Sequence, residues 1–509
     1  WNKRDLRKFQ TEIEQMAEPP PDSFSSMEHA SSWYASLTQH MRDIMQDISD
    51  SKPKKTPEQF REWDALVSAI ASQARKRTKT FYRRLKSAFA IPRGQPAYPV
   101  PARKIRRILQ EAPIFSESKA FRHTQQQTQH PDPPPPTEDQ LREFSKGPRN
   151  KAPGPDGVPP YALYHLPPSL FKGVHLFVLV MHAQQRIPPE ISASETVCFY
   201  KKGDWRDGEK WRPIALSNSL YRAIARWIYS ILVTIITPLI TAWQFGGLKG
   251  RTTASSTFQL LEHVAETPGP KSLGMVDFFH AFDSPPKRLL IRALALAGTP
   301  QVLLLMILSV YVWAQTKIRG SDEEAFGTTK GVKQGCPMSC IIFVLFINAI
   351  LIYLIDLGLK FVAYVDDISL VITKGNEQRV FSLVQQEAAL YNMQLNVLKN
   401  EVMGLGSYTP PDISLPNFVV PPDPYTDEVQ ASQPDWLAKP PVPYAKTKDV
   451  ANGLVPKVRH LVHLGHPLTP SMTQSSIYRL ILDELEHTLA VLGTQPLPPM
   501  ARAEVTRTV

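Results

Sequence analysis

Cysteine is nearly absent from these 509 residues: Cys198, Cys336 and Cys340 are the full set. Three thiols cannot build a disulfide framework or a four-cysteine zinc site, which points to a reducing, intracellular compartment. Long apolar runs are also missing. The longest, Val302 to Ala314 and Ile341 to Leu354, fall short of the ~20 residues a spanning helix needs, and Asn348 interrupts the second. Both read as buried core helices, and no membrane partner is expected. No internal repeat of fixed period is present. Neither an initiator Met nor a signal-like segment precedes Trp1-Asn-Lys-Arg4, so the chain reads as a piece of a longer polypeptide.

What is abundant is proline and positive charge. The 48 prolines are about twice the usual share of ~5%, yet with only 24 glycines the chain stays well below the ~25–30% of low-complexity sequence. The proline excess must therefore sit in loops and linkers of a globular protein. Pro131 and Pro133 to Pro136 mark an extended linker, and Pro410 to Pro443, with ten prolines, marks a long exposed insertion. The expected organisation is a helical, basic N-terminal extension with its linker over 1–136, a main domain over 137–407, the insertion over 408–444, and a C-terminal part over 445–509 that stops inside a helix. A length of 509 residues allows about three domains at roughly 100–200 residues each. The net charge of +11 favours a polyanionic partner, nucleic acid first. The predicted helix Thr56 to Ala90 concentrates that charge in Arg75, Lys76, Arg77, Lys79, Arg83, Arg84 and Lys86, with Phe81 and Tyr82 among them. Such a stretch suits phosphate contact and base stacking, the alternative being a solvated helix face.

Two places gather acid where acid is not needed for solubility. Leu273-Gly-Met-Val-Asp277 is a short apolar run that puts a carboxylate at a strand's exit. Phe361 to Ile372 is two β-rich runs meeting at Asp366-Asp367, the composition of a hairpin with acids at its tip. Adjacent carboxylates repel, and a third from Asp277 concentrates more negative charge than a folded site holds alone. One or two oxygen-seeking divalent cations such as Mg²⁺ would compensate it.

These segments stand in an ordered series: Lys151-Ala-Pro-Gly-Pro-Asp-Gly157, Lys201-Lys-Gly-Asp204, Trp211-Arg-Pro-Ile-Ala-Leu216, Gln244-Phe-Gly-Gly-Leu-Lys-Gly-Arg251, the Asp277 segment, Gly331-Val-Lys-Gln-Gly-Cys-Pro-Met-Ser339 and Tyr364-Val-Asp-Asp367. In that order they resemble the motifs of reverse transcriptases, most closely those of non-LTR (LINE-type) retrotransposons, over about residues 60 to 509. The resemblance implies an α+β fold with right-hand fingers, palm and thumb, an antiparallel palm sheet and a mostly helical N-terminal extension. It implies an RNA-directed DNA polymerase that copies retroelement RNA from a DNA primer or target 3′-hydroxyl, using deoxynucleoside triphosphates and two Mg²⁺ ions, for which Mn²⁺ can substitute. Asp277, Asp366 and Asp367 match the catalytic metal ligands. Lys201, Lys202 and Arg212 fall where the family neutralises the triphosphate, with a structural ion pair as the rival role. Phe282 matches the ring under the incoming sugar, Gln334 and Gly335 the motif beneath the templating pair, and Lys399 a lysine near the leaving pyrophosphate.

His463-Leu-Gly465 resembles the hairpin that grips the primer, and Thr494 to Val509 part of a thumb cut short. Cys336 and Cys340 read as small packed residues. The endonuclease that accompanies such polymerases is not contained in these residues. Two other functions fit the same motifs: an RNA-dependent RNA polymerase, against which Phe282 argues, and an inactive scaffold that keeps the fold to bind RNA, against which the intact three acids argue.

Overall fold

The computed structural model describes residues 3–50, 100–148, 151–201, 203–397, 399–415, 453–464 and 466–472. The predicted basic helix, Lys202, Gly465, most of the proline-rich insertion and the segment after 472 lie outside the described residues.

Two four-stranded sheets organise the chain. The first has the order β2-β1-β4-β5, built from β1 (Ser194–Tyr200), β2 (Trp211–Ser217), β4 (Gln315–Ile318) and β5 (Phe326–Gly327). β1 runs antiparallel to β2 and parallel to β4. The second has the order β6-β7-β3-β8, from β3 (Lys271–Val276), β6 (Lys360–Tyr364), β7 (Asp367–Thr373) and β8 (Glu401–Gly404). Every pairing in it is antiparallel, with Val276 opposite Ile368 and Tyr364 opposite Asp367. β3 and β7, the inner strands of this sheet, are buried over most of their length, with Leu273, Val276, Ile368, Leu370 and Ile372 in the core and Ser272 and Ser369 buried beside them.

Helices cover these sheets. Among them are α1 (Lys3–Met16), α2 (Met27–Asp50), α3 (Ala102–Gln110), α4 (Glu138–Ser145), α5 (Pro168–Ala183), α6 (Ser219–Ile236), α7 (Thr253–Glu266), α8 (Lys287–Leu296), α9 (Gln301–Trp313), α10 (Ser339–Asp356) and α11 (Glu377–Ala389). The chain enters α4 through a capping box: Gln140 N–H donates to Thr137 Oγ1 at 3.2 Å and Thr137 N–H to Gln140 Oε1 at 3.0 Å. The expected core helices appear as α9 and α10. α10 and the stretch Ser219–Leu239 are long and apolar enough to cross a membrane by length and composition, but 72% and 61% of their apolar windows are buried inside the protein. Asn348, the polar residue inside α10, is satisfied by accepting from Thr241 N–H and donating to the Leu239 carbonyl, both at 3.0 Å.

One core joins Phe9, Trp33, Leu37 and Met41 of the N-terminal helices to Phe171, Val174 and Phe177 of α5 and to Phe343 and Phe346 of α10. Residues 1–48 and 100–459 accordingly form one compact unit, inside which the expected boundary at 136 falls. The proline run is extended, as read, and is held along α5: the His182 and His175 rings, seven residues apart and so on one face, donate to the carbonyls of Pro133 at 3.0 Å and Pro136 at 2.9 Å. Residues 49–99 and 460–509 form a second unit. Its described part includes a small hairpin, β11 (Leu461–His463) and β12 (His466–Leu468), which contains the predicted His463 turn. Within the first unit, β9 (Ser414–Leu415) pairs with β10 (Gly453–Leu454) across the insertion.

Candidate active site

The register of the second sheet brings its acids together. Asp277 leaves the end of β3, and the turn Val365-Asp366 joins β6 to β7, whose first residue is Asp367. Since Val276 pairs with Ile368, the acidic turn and the exit of β3 stand at the same end of neighbouring strands. Burial first, then the charges of Asp367 and Asp277, push Asp366 up to about 6, with a backbone hydrogen bond and Lys399 opposing. Asp367 is raised by burial and by Asp277, again with Lys399 opposing.

Asp277 is fastened from a segment more than a hundred residues away. Its backbone N–H donates to Asn400 Oδ1 at 2.8 Å, its carbonyl accepts from Asn396 N–H at 2.8 Å, and its Oδ2 accepts from Asn396 Nδ2 at 2.9 Å. Lys399 Nζ lies 3.3 Å from the same Oδ2, its side chain mostly exposed. Among the described residues no three His, Cys, Asp or Glu side chains are gathered as a ready-made metal cluster. The three acids predicted as ligands face one another electrostatically, while the Asp277 carboxylate is turned to Asn396 and Lys399. Their chemistry fits a hard divalent ion all the same: three oxygen-donor carboxylates, two of them raised by burial first and by a neighbouring carboxylate second, with the ammonium of Lys399 opposing the rise in both.

Phe282 follows in a short 3₁₀ turn, Ala281–Asp283. Its ring is half-buried and stacks on Phe343 of α10, 4.4 Å between centroids and 13° from parallel. The loop carrying Gln334 docks on this turn: Val332 N–H donates to the Phe282 carbonyl and Gly331 N–H to the Pro285 carbonyl, both at 2.8 Å. Gln334 Nε2 donates to Asp283 Oδ1 at 2.7 Å. Gly335 has φ +100°, and a Cβ there would stand 2.8 Å from the Ala215 carbonyl oxygen on β2, so both conformation and space demand glycine. Cys336 is buried and within 3.1 Å of the Tyr221 hydroxyl, a packing role as expected.

Lys201 and Arg212 stand at the tip of the β1–β2 hairpin, where Lys201 N–H donates to the Lys210 carbonyl at 2.8 Å. The Lys201 ammonium is lowered from the usual lysine range by burial and by Arg212, and it also feels Asp283 and Lys399. The positive hairpin tip is thus an electrostatic neighbour of the Asp283 turn and of Lys399, which lies beside Asp277. Asn396, Asn400, Asp283 and Gln244 were not singled out from sequence. The nearest signal lay in the segments that contain or flank them, since side-chain amides bonding to distant backbone leave no local pattern.

Residues 200–438 match the family described as reverse transcriptase (RNA-dependent DNA polymerase). Over 241 residues the chain is 27% identical to the "Transposon TX1 uncharacterized 149 kDa protein" of Xenopus laevis, a match covering 44% of this chain and 18% of that protein. The chain thus spans under a fifth of that relative's length. Among solved structures, one described as apo telomerase from Candida Tropicalis, truncated from its C-terminal domain, aligns with a TM-score of 0.35 and 10% identity over 45% of this chain and 53% of that one.

Proposed function

We propose that this chain, whose residues 200–438 match the reverse transcriptase family, is an RNA-directed DNA polymerase of the non-LTR retrotransposon kind that extends a DNA primer 3′-hydroxyl along a retroelement RNA. In this reading the second sheet is the palm and the first sheet the fingers. The β11–β12 hairpin grips the primer, and Thr494 to Val509 belong to the thumb. The observation that carries the reading is the meeting of Asp277, Asp366 and Asp367 at one end of paired strands inside this domain.

Members of the family generally work with divalent metal ions. Here Asp277 and Asp366 would hold two Mg²⁺, with Asp367 as the supporting acid. Such a pair, when bound, activates the attacking 3′-oxygen and stabilises the leaving pyrophosphate. The chain's own groups do the rest. Lys201, Lys202 and Arg212 bring positive charge to the triphosphate. Lys399, 3.3 Å from Asp277, is placed to give a proton to the leaving pyrophosphate. Gln334, oriented by Asp283, and the bare backbone of Gly335 leave room beneath the templating pair. Phe282 fills the space a 2′-hydroxyl would need and offers no hydrogen bond to it, which favours deoxyribonucleotides over the substrates of an RNA polymerase. RNA contact by Arg75, Lys76, Arg77, Lys79, Arg83, Arg84 and Lys86, an endonuclease elsewhere than in these residues, and a nuclear site of action in a eukaryotic host complete the proposal.

The test is primer extension on poly(rA) with an oligo(dT) primer and Mg²⁺. Asp366→Asn is expected to lower extension by orders of magnitude while leaving RNA affinity nearly intact. Equal extension by wild type and variant would overturn the assignment of the site.

A further inference from the structure

The turn that carries Asp366 is not at rest by its own chemistry. Val365 has φ +62°, in the left-handed region that a β-branched side chain avoids, and such a residue persists only where its surroundings over-determine it. The surroundings here are the segment Gln244 to Arg251, a motif whose part in the proposed reaction is otherwise unassigned. Trp243 and Phe245 cover the free edge of β6: Ala363 N–H donates to the Trp243 carbonyl at 2.8 Å and Phe245 N–H to the Ala363 carbonyl at 2.7 Å. From there the Gln244 side chain, fully buried, reaches the turn with both ends of its amide. Nε2 donates to the Val365 carbonyl at 3.0 Å, and Oε1 accepts from Val365 N–H at 2.8 Å and from Gly246 N–H at 2.9 Å. Both backbone groups of the strained residue are thus held by one side chain.

The motif also fastens itself. The Arg251 guanidinium donates to the carbonyls of Thr241 at 2.9 Å and Ala242 at 3.3 Å and to that of Gln244. Gly246 lies so close that a Cβ on it would stand 2.4 Å from Val365 N. The segment therefore grips the turn, with no slack between them.

We propose that Gln244 is a positioning residue for the acidic site, its amide clamping Val365 so that the Asp366 carboxylate stands where a divalent cation is bound; this rests on the polymerase reading above. The groups it holds are backbone, and it touches no carboxylate itself.

Mn²⁺ binding to the purified chain, followed by the electron paramagnetic resonance of free Mn²⁺, tests this without recourse to turnover. Gln244→Met keeps the volume and removes the hydrogen bonds. It is expected to weaken Mn²⁺ binding by roughly 10–100-fold, as loss of a partner that orients a ligand does, with RNA–primer affinity close to wild type and the melting temperature lowered by the buried backbone groups left unpaired. Gln244→Glu, which keeps the acceptor for Val365 N–H, should fall between the two. Wild-type Mn²⁺ affinity in Gln244→Met would overturn the proposal, as would a parallel loss of metal and RNA–primer affinity. Should Gln244→Met not fold, Gly246→Ala, whose added Cβ would press on Val365 from the same segment, is held to the same two outcomes. Asp366→Asn separates the levels. If it binds Mn²⁺ like wild type, the metal reading itself fails; if it loses Mn²⁺ while Gln244→Met does not, only the role of Gln244 fails.

Discussion

Phe282 lies at the meeting of two demands. Its ring stacks on Phe343 of α10, and its backbone carbonyl receives Val332 N–H from the Gln334 loop. Truncation therefore touches packing and site together, and the two are separated by ratio. A fully buried Phe→Ala costs about 3–5 kcal/mol, and a half-buried ring should cost less. Phe282→Ala is accordingly expected to lower the melting temperature modestly and, as a sugar gate, to raise insertion of UTP relative to dTTP opposite rA. Single-nucleotide insertion kinetics read that ratio. An unchanged ratio would leave Phe282 as packing alone, and a wild-type preference for UTP would overturn the deoxyribonucleotide assignment. At this scale the sequence displayed the acids because three carboxylates near β-rich runs are conspicuous by charge. It did not display Asn396, Asn400 or Gln244, whose amides bond to the Asp277 carboxylate or to backbone 119 to 123 residues distant.

Among the elements, α8 carries an inconsistency that titration can expose. Its first residue, Lys287, puts an ammonium at a helix N-terminus, the wrong end for the helix dipole, and Nζ donates to the carbonyls of Tyr311 and Thr328. Burial, and secondarily Lys333, depress it to about 7. Unfolded, it would titrate near the ordinary lysine value, so between about pH 7 and 10 the unfolded chain binds a proton that the folded one has released. Stability linked to this group is then fully present above the unfolded value and is lost as pH falls toward 7. Lys287→Met should flatten the rise of melting temperature over that window, even though it forfeits two hydrogen bonds. A variant with the wild-type slope would place the titration elsewhere. The apolar run that became α10 was readable because it is hydrophobic nearly all round. α6 was not readable in that way, because Arg222 and Arg226 interrupt its run. In the folded chain these two arginines donate to the carbonyls of Ala152, Phe144 and Lys146.

For the molecule as a whole, charge and core give different partitions. Composition divides the chain at its prolines, whereas the packed core runs from Phe9 through Phe177 to Phe346 and treats the run at 131–136 as an internal surface strap. Proline marks where no regular element forms; it carries no information about which carbonyls a distant histidine will find. The basic stretch remains a reading from charge alone. Neutralising Arg75, Lys76, Arg77 and Lys79 together is expected to weaken RNA binding and to reduce the log–log salt slope by up to about three units, slightly under one per phosphate contact. Affinity measured across a salt series checks it, and an unchanged slope would return the stretch to a solvated helix face.

The pairing of Ser414–Leu415 with Gly453–Leu454 has a bearing on how such a gene can change. Where the chain departs and where it comes back are zipped to each other, and the entropic cost of bringing two points of a chain together grows only with the logarithm of the number of residues between them. Insertions and deletions between 415 and 453 can therefore accumulate over generations without being felt at Asp277 or Asp366. That span is where related sequences should differ most in length, and into which an engineer could splice a foreign module.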